Sequence, residues 1–308
     1  MYRPEGVHVA MLTPMKSDES LNLSVLGGEV ARFKAAGIRG IFCIGTNGES
    51  YALSTSEKIA LMEALAALKP QGIDLGAGVG CTTTRATMDL ARRAERLGFT
   101  YLSVITPWFA AVSQEELARH YRAVAAAVSL PVVLYNIPSR TGNRLEVATA
   151  AGLADVTNIV GIKDSGGDFK TIRDLIAIGN GRFAVLCGSD HLIRDSLAAG
   201  GAGSVSGLAN LVPATVARIY DACRSGDTGL AERAQAALTR LRDALAGGNP
   251  SSATKRAASL LGLPYGPARE PTAGVPAEVE KRLPAALAEC AAFEKEMAQV
   301  HPAGTAAR

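Results

Sequence analysis

Eight short apolar runs, rich in β-branched residues and recurring every 20 to 35 residues or so, constrain this chain more than any other feature. They lie at 7–12, 40–44, 73–77, 101–105, 131–135, 159–163, 183–187 and 203–206, each followed by a helical pattern. Segments such as 56–68 and 84–97 place Glu, Lys and Arg on one face and Leu, Ala and Met on the other, as amphipathic helices do. Ser56 and Ser113 fall where helix N-caps are expected, and Gly37 and Gly98 where C-caps are expected. Strands apolar along their whole length belong to a parallel sheet covered on both faces. Eight strand–helix units is the number that closes an α/β (β/α)8 TIM barrel, with an open doubly wound sheet as the alternative. From about Pro213 the strand signal ends, and 214–224, 230–245, 252–261 and 277–298 read as helices. The expected organisation is a catalytic barrel over 1–225, a C-terminal helical extension over 226–300 and a disordered tail over 301–308.

Composition narrows the function classes. A chain of 308 residues, 48% hydrophobic, is long enough to bury a large core. Its net charge of +3 and the lack of a dense Lys/Arg cluster argue against nucleic acid as a partner. The longest apolar runs, such as 130–134, fall far short of the roughly 20 residues of a membrane span, and Met1–Glu5 lacks the apolar stretch of a signal peptide. Cys43, Cys81, Cys187, Cys223 and Cys290 are far apart, odd in number and free of CxxC spacing, so they read as reduced thiols in a cytoplasmic protein.

In a barrel the chemistry lies just past the strand ends. Gly45-Thr46-Asn47-Gly48-Glu49-Ser50 follows the second run, Tyr135–Gly142 ends the fifth, Gly161–Ser165 the sixth and Gly188-Ser189-Asp190 the seventh. Lys163 closes an apolar strand, where burial disfavours the ammonium form, and a neutral amine can attack a ketone to give an imine. Tyr135, on the neighbouring strand end, carries a hydroxyl able to move a proton, and Thr46 can relay it. Gly45 and Gly48 bracket a turn whose N–H groups suit a carboxylate, and the Arg140 guanidinium suits bidentate carboxylate recognition. The residues alone leave plainer alternatives open: a lysine snorkelling to solvent, a packed tyrosine, a tight βα turn and a solvated arginine. Gly76–Gly80 is glycine-rich but lacks the dinucleotide spacing, and Asp190-His191 has no third ligand at metal spacing, so no metal is assigned.

Together these segments, with Ala10–Pro14 and Gly203–Asn210 followed by Pro213, resemble the dihydrodipicolinate synthase/N-acetylneuraminate lyase family from Gly6 to about Glu270. The resemblance implies a class I lyase acting on pyruvate, with Lys163 as the Schiff-base lysine and no cofactor beyond that covalent imine. It further implies Tyr135 as the proton-transfer tyrosine, linked to Thr46. Thr46 and Asn47 match the keto-acid carboxylate site, Gly188 and Val205 main-chain positions lining it, and Arg140 the arginine for the aldehyde partner's carboxylate. The implied partners are pyruvate and a small carboxylated aldehyde or 2-keto acid, in a homotetramer or homodimer, with no nucleic acid and no membrane. The best single label is dihydrodipicolinate synthase-like. Aldolases or dehydratases of 2-keto-3-deoxy sugar acids or hydroxy-oxo acids stand as the alternative, and a non-catalytic keto-acid-binding barrel as a third reading. Three departures favour the alternative: Phe109 where synthases place a tyrosine contributed to the neighbouring subunit, Asn47 in place of a threonine, and the Gly161–Asp168 and Gly188–Asp190 segments. In lysine-inhibited synthases the regulatory site corresponds to 50–58 and 82–86, where this chain has Tyr51, Thr55, Lys58 and Ala86.

Overall fold

The computed structural model describes residues 2–68, 70–179, 182–272 and 274–300; the expected tail over 301–308 lies outside them. Eight parallel strands close in sequence order: β1 (Gly6–Ala10), β2 (Gly40–Cys43), β3 (Asp74–Gly78), β4 (Tyr101–Ile105), β5 (Val132–Asn136), β6 (Ile159–Asp164), β7 (Ala184–Cys187) and β8 (Gly203–Ser206), which pairs back to β1. This is the (β/α)8 barrel, not the open sheet. Every strand is buried almost throughout, which is why the runs read as apolar along their whole length.

Helices α1 (Leu26–Ala35), α2 (Thr55–Ala67), α3 (Thr84–Arg96), α4 (Gln114–Ala126), the short α5 (Pro138–Thr141), α6 (Val147–Ala154), α7 (Phe169–Ile178), α8 (Ile193–Ala198) and α9 (Pro213–Ser225) follow the strands. Then come α10 (Thr228–Leu245), packed on α9 and α12, α11 (Pro250–Leu260) and α12 (Ala277–Val300). Among the described residues no helix is long and apolar enough to cross a membrane.

β4 and β8 match the sequence reading and the other strands shift by one or two residues: β1 and β2 end earlier, while β5 and β6 run one residue further because Asn136 and Asp164 continue the ladder past the apolar run. The cap of α2 is Ser54 rather than Ser56: Ser54 is extended and forms a capping box with Glu57, while Ser56 already lies in the first turn. Ser113 caps α4 as expected. Gly37 and Gly98 sit one residue beyond the C-caps Ala36 and Leu97, at φ +82° and +78°, the left-handed position that follows a helix.

Two apolar layers hold the barrel. The outer one joins strands to helices, and the inner one fills the bore with residues such as Phe42, Val133, Val160 and Leu186. The bore is not purely apolar. His8 and Tyr101 meet in it, His8 Nδ1 lying 3.0 Å from the Tyr101 hydroxyl and Nε2 3.2 Å from the Glu5 carbonyl. His8 fits because its neighbour across β1–β2 is Gly40, where a Cβ would stand 2.1 Å from Nδ1.

Candidate active site

At the C-terminal mouth of the barrel lies a cavity of about 800 Å³, lined by loops after β2, β5, β6, β7 and β8 and by the start of α11. Lys163, on β6, is 4% exposed, and its register partner on β5 is Tyr135, 3% exposed. Register therefore brings the amine and the phenol side by side: Lys163 Nζ stands 4.0 Å from the Tyr135 ring centroid and 5.0 Å from that of Phe42. Thr46 Oγ1 lies 3.2 Å from the Tyr135 hydroxyl, joining the β2 loop to the β5 strand end.

The turn after β2 is folded tightly. The N–H groups of Glu49 and Ser50 donate to the carbonyls of Thr46 and Gly45, and the Thr13 hydroxyl donates to the Gly48 carbonyl at 2.5 Å. Those bonds leave Thr46 and Asn47 facing the cavity. Gly188 and Val205 line it from β7 and β8. A Cβ at Gly188 would stand 2.0 Å from Ser165 Oγ and 2.9 Å from Lys163 Cε, so a side chain there would displace the lysine arm. Arg140 occupies the last turn of α5 at the rim, its side chain exposed; Gly142, at φ +74°, ends that helix.

All seven residues expected at the site line this one cavity: Thr46, Asn47, Tyr135, Arg140, Lys163, Gly188 and Val205. Phe109 does not: at φ +77° it is fully exposed in the single chain. To several further residues the sequence reading assigned no role. Asp164, the last residue of β6 and next to Lys163, is buried behind the cavity lining, accepting from Asn136 Nδ2 at 2.7 Å and from the Gly166 N–H at 3.0 Å, with burial raising its pKa. Asp190, which lines the cavity, is also raised by burial and accepts from the buried Ser206 hydroxyl. Arg242, Leu245, Asn249 and Ser251 form a wall contributed by the C-terminal helices. In the sequence these last four are ordinary helix-end residues with no motif around them. Among the described residues, no three His, Cys, Asp or Glu side chains gather in a metal-binding group.

The arrangement places a primary amine among aromatic rings, a phenol and hydroxyl within proton-transfer distance of each other, a concave turn beside them and a guanidinium at the entrance. The model of the dihydrodipicolinate synthetase family matches residues 3–290. The 4-hydroxy-tetrahydrodipicolinate synthase of Moorella thermoacetica is 35% identical over 280 residues, which cover 91% of this chain and 96% of that protein. Among solved structures, the chloride-inhibited dihydrodipicolinate synthase of Acinetobacter baumannii complexed with pyruvate superposes with a TM-score of 0.90 at 31% identity, covering 93% of this chain and 99% of that one. The 4-hydroxy-tetrahydrodipicolinate synthase of Methylacidiphilum fumariolicum gives 0.91 at 30% identity, covering 97% and 98%. The chain is a lyase and belongs to the dihydrodipicolinate synthetase family.

Proposed function

We propose that this enzyme condenses pyruvate with aspartate semialdehyde through an imine on Lys163, in the manner of a 4-hydroxy-tetrahydrodipicolinate synthase. The observation that carries the reading is the juxtaposition of Lys163 Nζ, the Tyr135 ring at 4.0 Å and Thr46 at 3.2 Å from the Tyr135 hydroxyl. In this scheme Lys163 Nζ attacks C2 of pyruvate, and the carbonyl oxygen leaves as water. Tyr135 and Thr46 carry the protons that this exchange requires. Loss of a C3 proton gives an enamine, whose C3 forms the new bond to the aldehyde carbon; the second substrate's own amino group then adds to the imine carbon, closing the ring and expelling Lys163 as the free amine. The pyruvate carboxylate rests on the Thr46–Asn47 turn, Gly188 and Val205 close the pocket around it, and Arg140 takes the carboxylate of the second substrate. The imine on Lys163 serves in place of any external cofactor.

We further assign residues 1–225 to the catalytic barrel and 226–300 to the extension. The working assembly is a homodimer or homotetramer: the solvent-facing Phe109 and the half-exposed Tyr51 offer aromatic surface to a second copy. Five free cysteines accord with a cytoplasmic setting.

Two observations favour a second reading, an aldolase or dehydratase of 2-keto-3-deoxy sugar acids or hydroxy-oxo acids. Phe109 has no hydroxyl to lend, and the Asp190 carboxylate lines the cavity as an acceptor for substrate hydroxyls. A product screen separates the readings. Pyruvate with aspartate semialdehyde should give the condensation product, while cleavage of 2-keto-3-deoxy acids without condensation would favour the second. A barrel that only senses keto acids would turn over none of them.

A further inference from the structure

The turn that carries Thr46 and Asn47 is strained at both ends. Ile44 and Glu49, neither of them glycine, hold φ of +58° and +56°. Such conformations persist only where the surroundings over-determine them, and they gather at ligand clamps. Glu49 is fully buried, and its carboxylate is held entirely by the C-terminal helices and the loop between them. Lys255 of α11, 2% exposed, forms an ion pair with Glu49, Nζ lying 2.7 Å from Oε1, and donates a hydrogen bond to the Pro267 carbonyl at 2.7 Å. The Arg269 N–H donates to Glu49 Oε2 at 2.8 Å, and the Ser251 hydroxyl approaches the Thr46 carbonyl at 3.4 Å. Arg269 is anchored in turn by both carboxylate oxygens of Glu57 and by the Ala52 carbonyl. Burying two charges is unfavourable, and an apolar pair of similar volume would serve stability as well or better. Stability alone therefore does not account for the pair. A carboxylate gripped from two directions fixes the backbone that bears it more closely than apolar packing would.

We propose that Glu49 and Lys255 are a positioning pair: through them the C-terminal extension holds the Thr46–Asn47 turn in its ligand-binding shape and thereby sets the affinity for the keto acid. This rests on the reading that the turn receives the pyruvate carboxylate and Lys163 its carbonyl carbon. Neither residue touches the reacting atoms, so their removal acts on binding more than on the chemical step.

The test is borohydride trapping of pyruvate as a function of pyruvate concentration, with thermal unfolding followed in parallel. The variants are Glu49→Gln combined with Lys255→Met, Glu49→Asp alone, and Leu283→Ala, which truncates a fully buried α12 side chain that does not line the cavity. The double variant leaves no unpaired buried charge and should fold. Its half-saturating pyruvate concentration should rise at least about tenfold, with the trapping rate at saturation within about twofold of wild type, the signature of lost ground-state binding. Glu49→Asp keeps both charges but withdraws the carboxylate by one methylene; it should show a smaller rise, and it decides the matter if the double variant does not fold. Leu283→Ala should unfold at lower temperature with half-saturation unchanged. Wild-type half-saturation in a folded double variant, or in Glu49→Asp, would overturn the proposal, as would an equal rise in Leu283→Ala. A wild-type enzyme that traps no pyruvate on Lys163 would instead overturn the reading on which the proposal stands.

Discussion

Arg140 sits at the rim with its side chain exposed, whereas Lys163 and Tyr135 lie at the bottom of the same cavity with almost no solvent contact. That difference in burial sets what each residue is worth. A charge-assisted bond from a buried arginine contributes about 1.5–3 kcal/mol, but solvent at the rim weakens the pairing, so removal of Arg140 should cost about 1–2 kcal/mol. Arg140→Ala is thus expected to lower kcat/KM for a carboxylated second substrate by roughly 5- to 30-fold. Trapping of pyruvate should stay at the wild-type level, because the imine forms before the second substrate arrives. Kinetics unchanged on every carboxylated partner would remove Arg140 from the recognition of that carboxylate. The residues at the strand ends were legible because a lysine, a tyrosine and a threonine each interrupt an apolar run at the position where a barrel places its site. Lys255 and Glu49 were not. They meet across 206 positions of sequence, and nothing local marks a lysine in a helix as the partner of a glutamate in a turn.

At the scale of the elements, the strands carry a liability that their apolar appearance hides. His8 of β1 is fully buried beside Tyr101, and burial holds its pKa down to about 4 even though Asp74 pulls the other way. His120 of α4, bonded through Nδ1 to the Thr84 hydroxyl, is likewise held to about 4 by burial. Both are depressed below the value near 6.5 expected in the unfolded chain, so the unfolded state takes up protons first. Their neutral forms favour the fold above about pH 6.5, and that contribution is lost as pH falls from there toward 4. Thermal unfolding across this window should show a fall in Tm that is shallower in His8→Gln than in the wild type; parallel curves would contradict the assignment. Strand existence and order were plain from periodicity, since a strand covered on both faces must be apolar along its length. Strand ends were less plain, because Asn136 and Asp164 satisfy each other within the ladder and extend it past the apolar residues. The short α5 was hidden for a related reason: four residues give no helical period to detect.

Across the whole molecule, the barrel brings loops from distant parts of the chain to one mouth, and the C-terminal helices wall that mouth on one side. By the family resemblance, residues 50–58 and 82–86 would correspond to the lysine-regulated surface of related synthases. Tyr51 is half-exposed, Lys58 is largely buried within α2, and the exposed Ala86 offers no carboxylate to an incoming ammonium. A second cation brought near Lys58 without a carboxylate meets net repulsion. Millimolar lysine is therefore expected to leave activity unchanged, and a dose-dependent loss would show that another group receives it. The central claim is the covalent step itself, and it is open to direct measurement. Incubation with pyruvate and borohydride, followed by intact-mass and peptide mapping, should find one reduced pyruvate unit per chain, attached to Lys163, and none in Lys163→Ala; an adduct on another residue, or no adduct at all, would contradict the account.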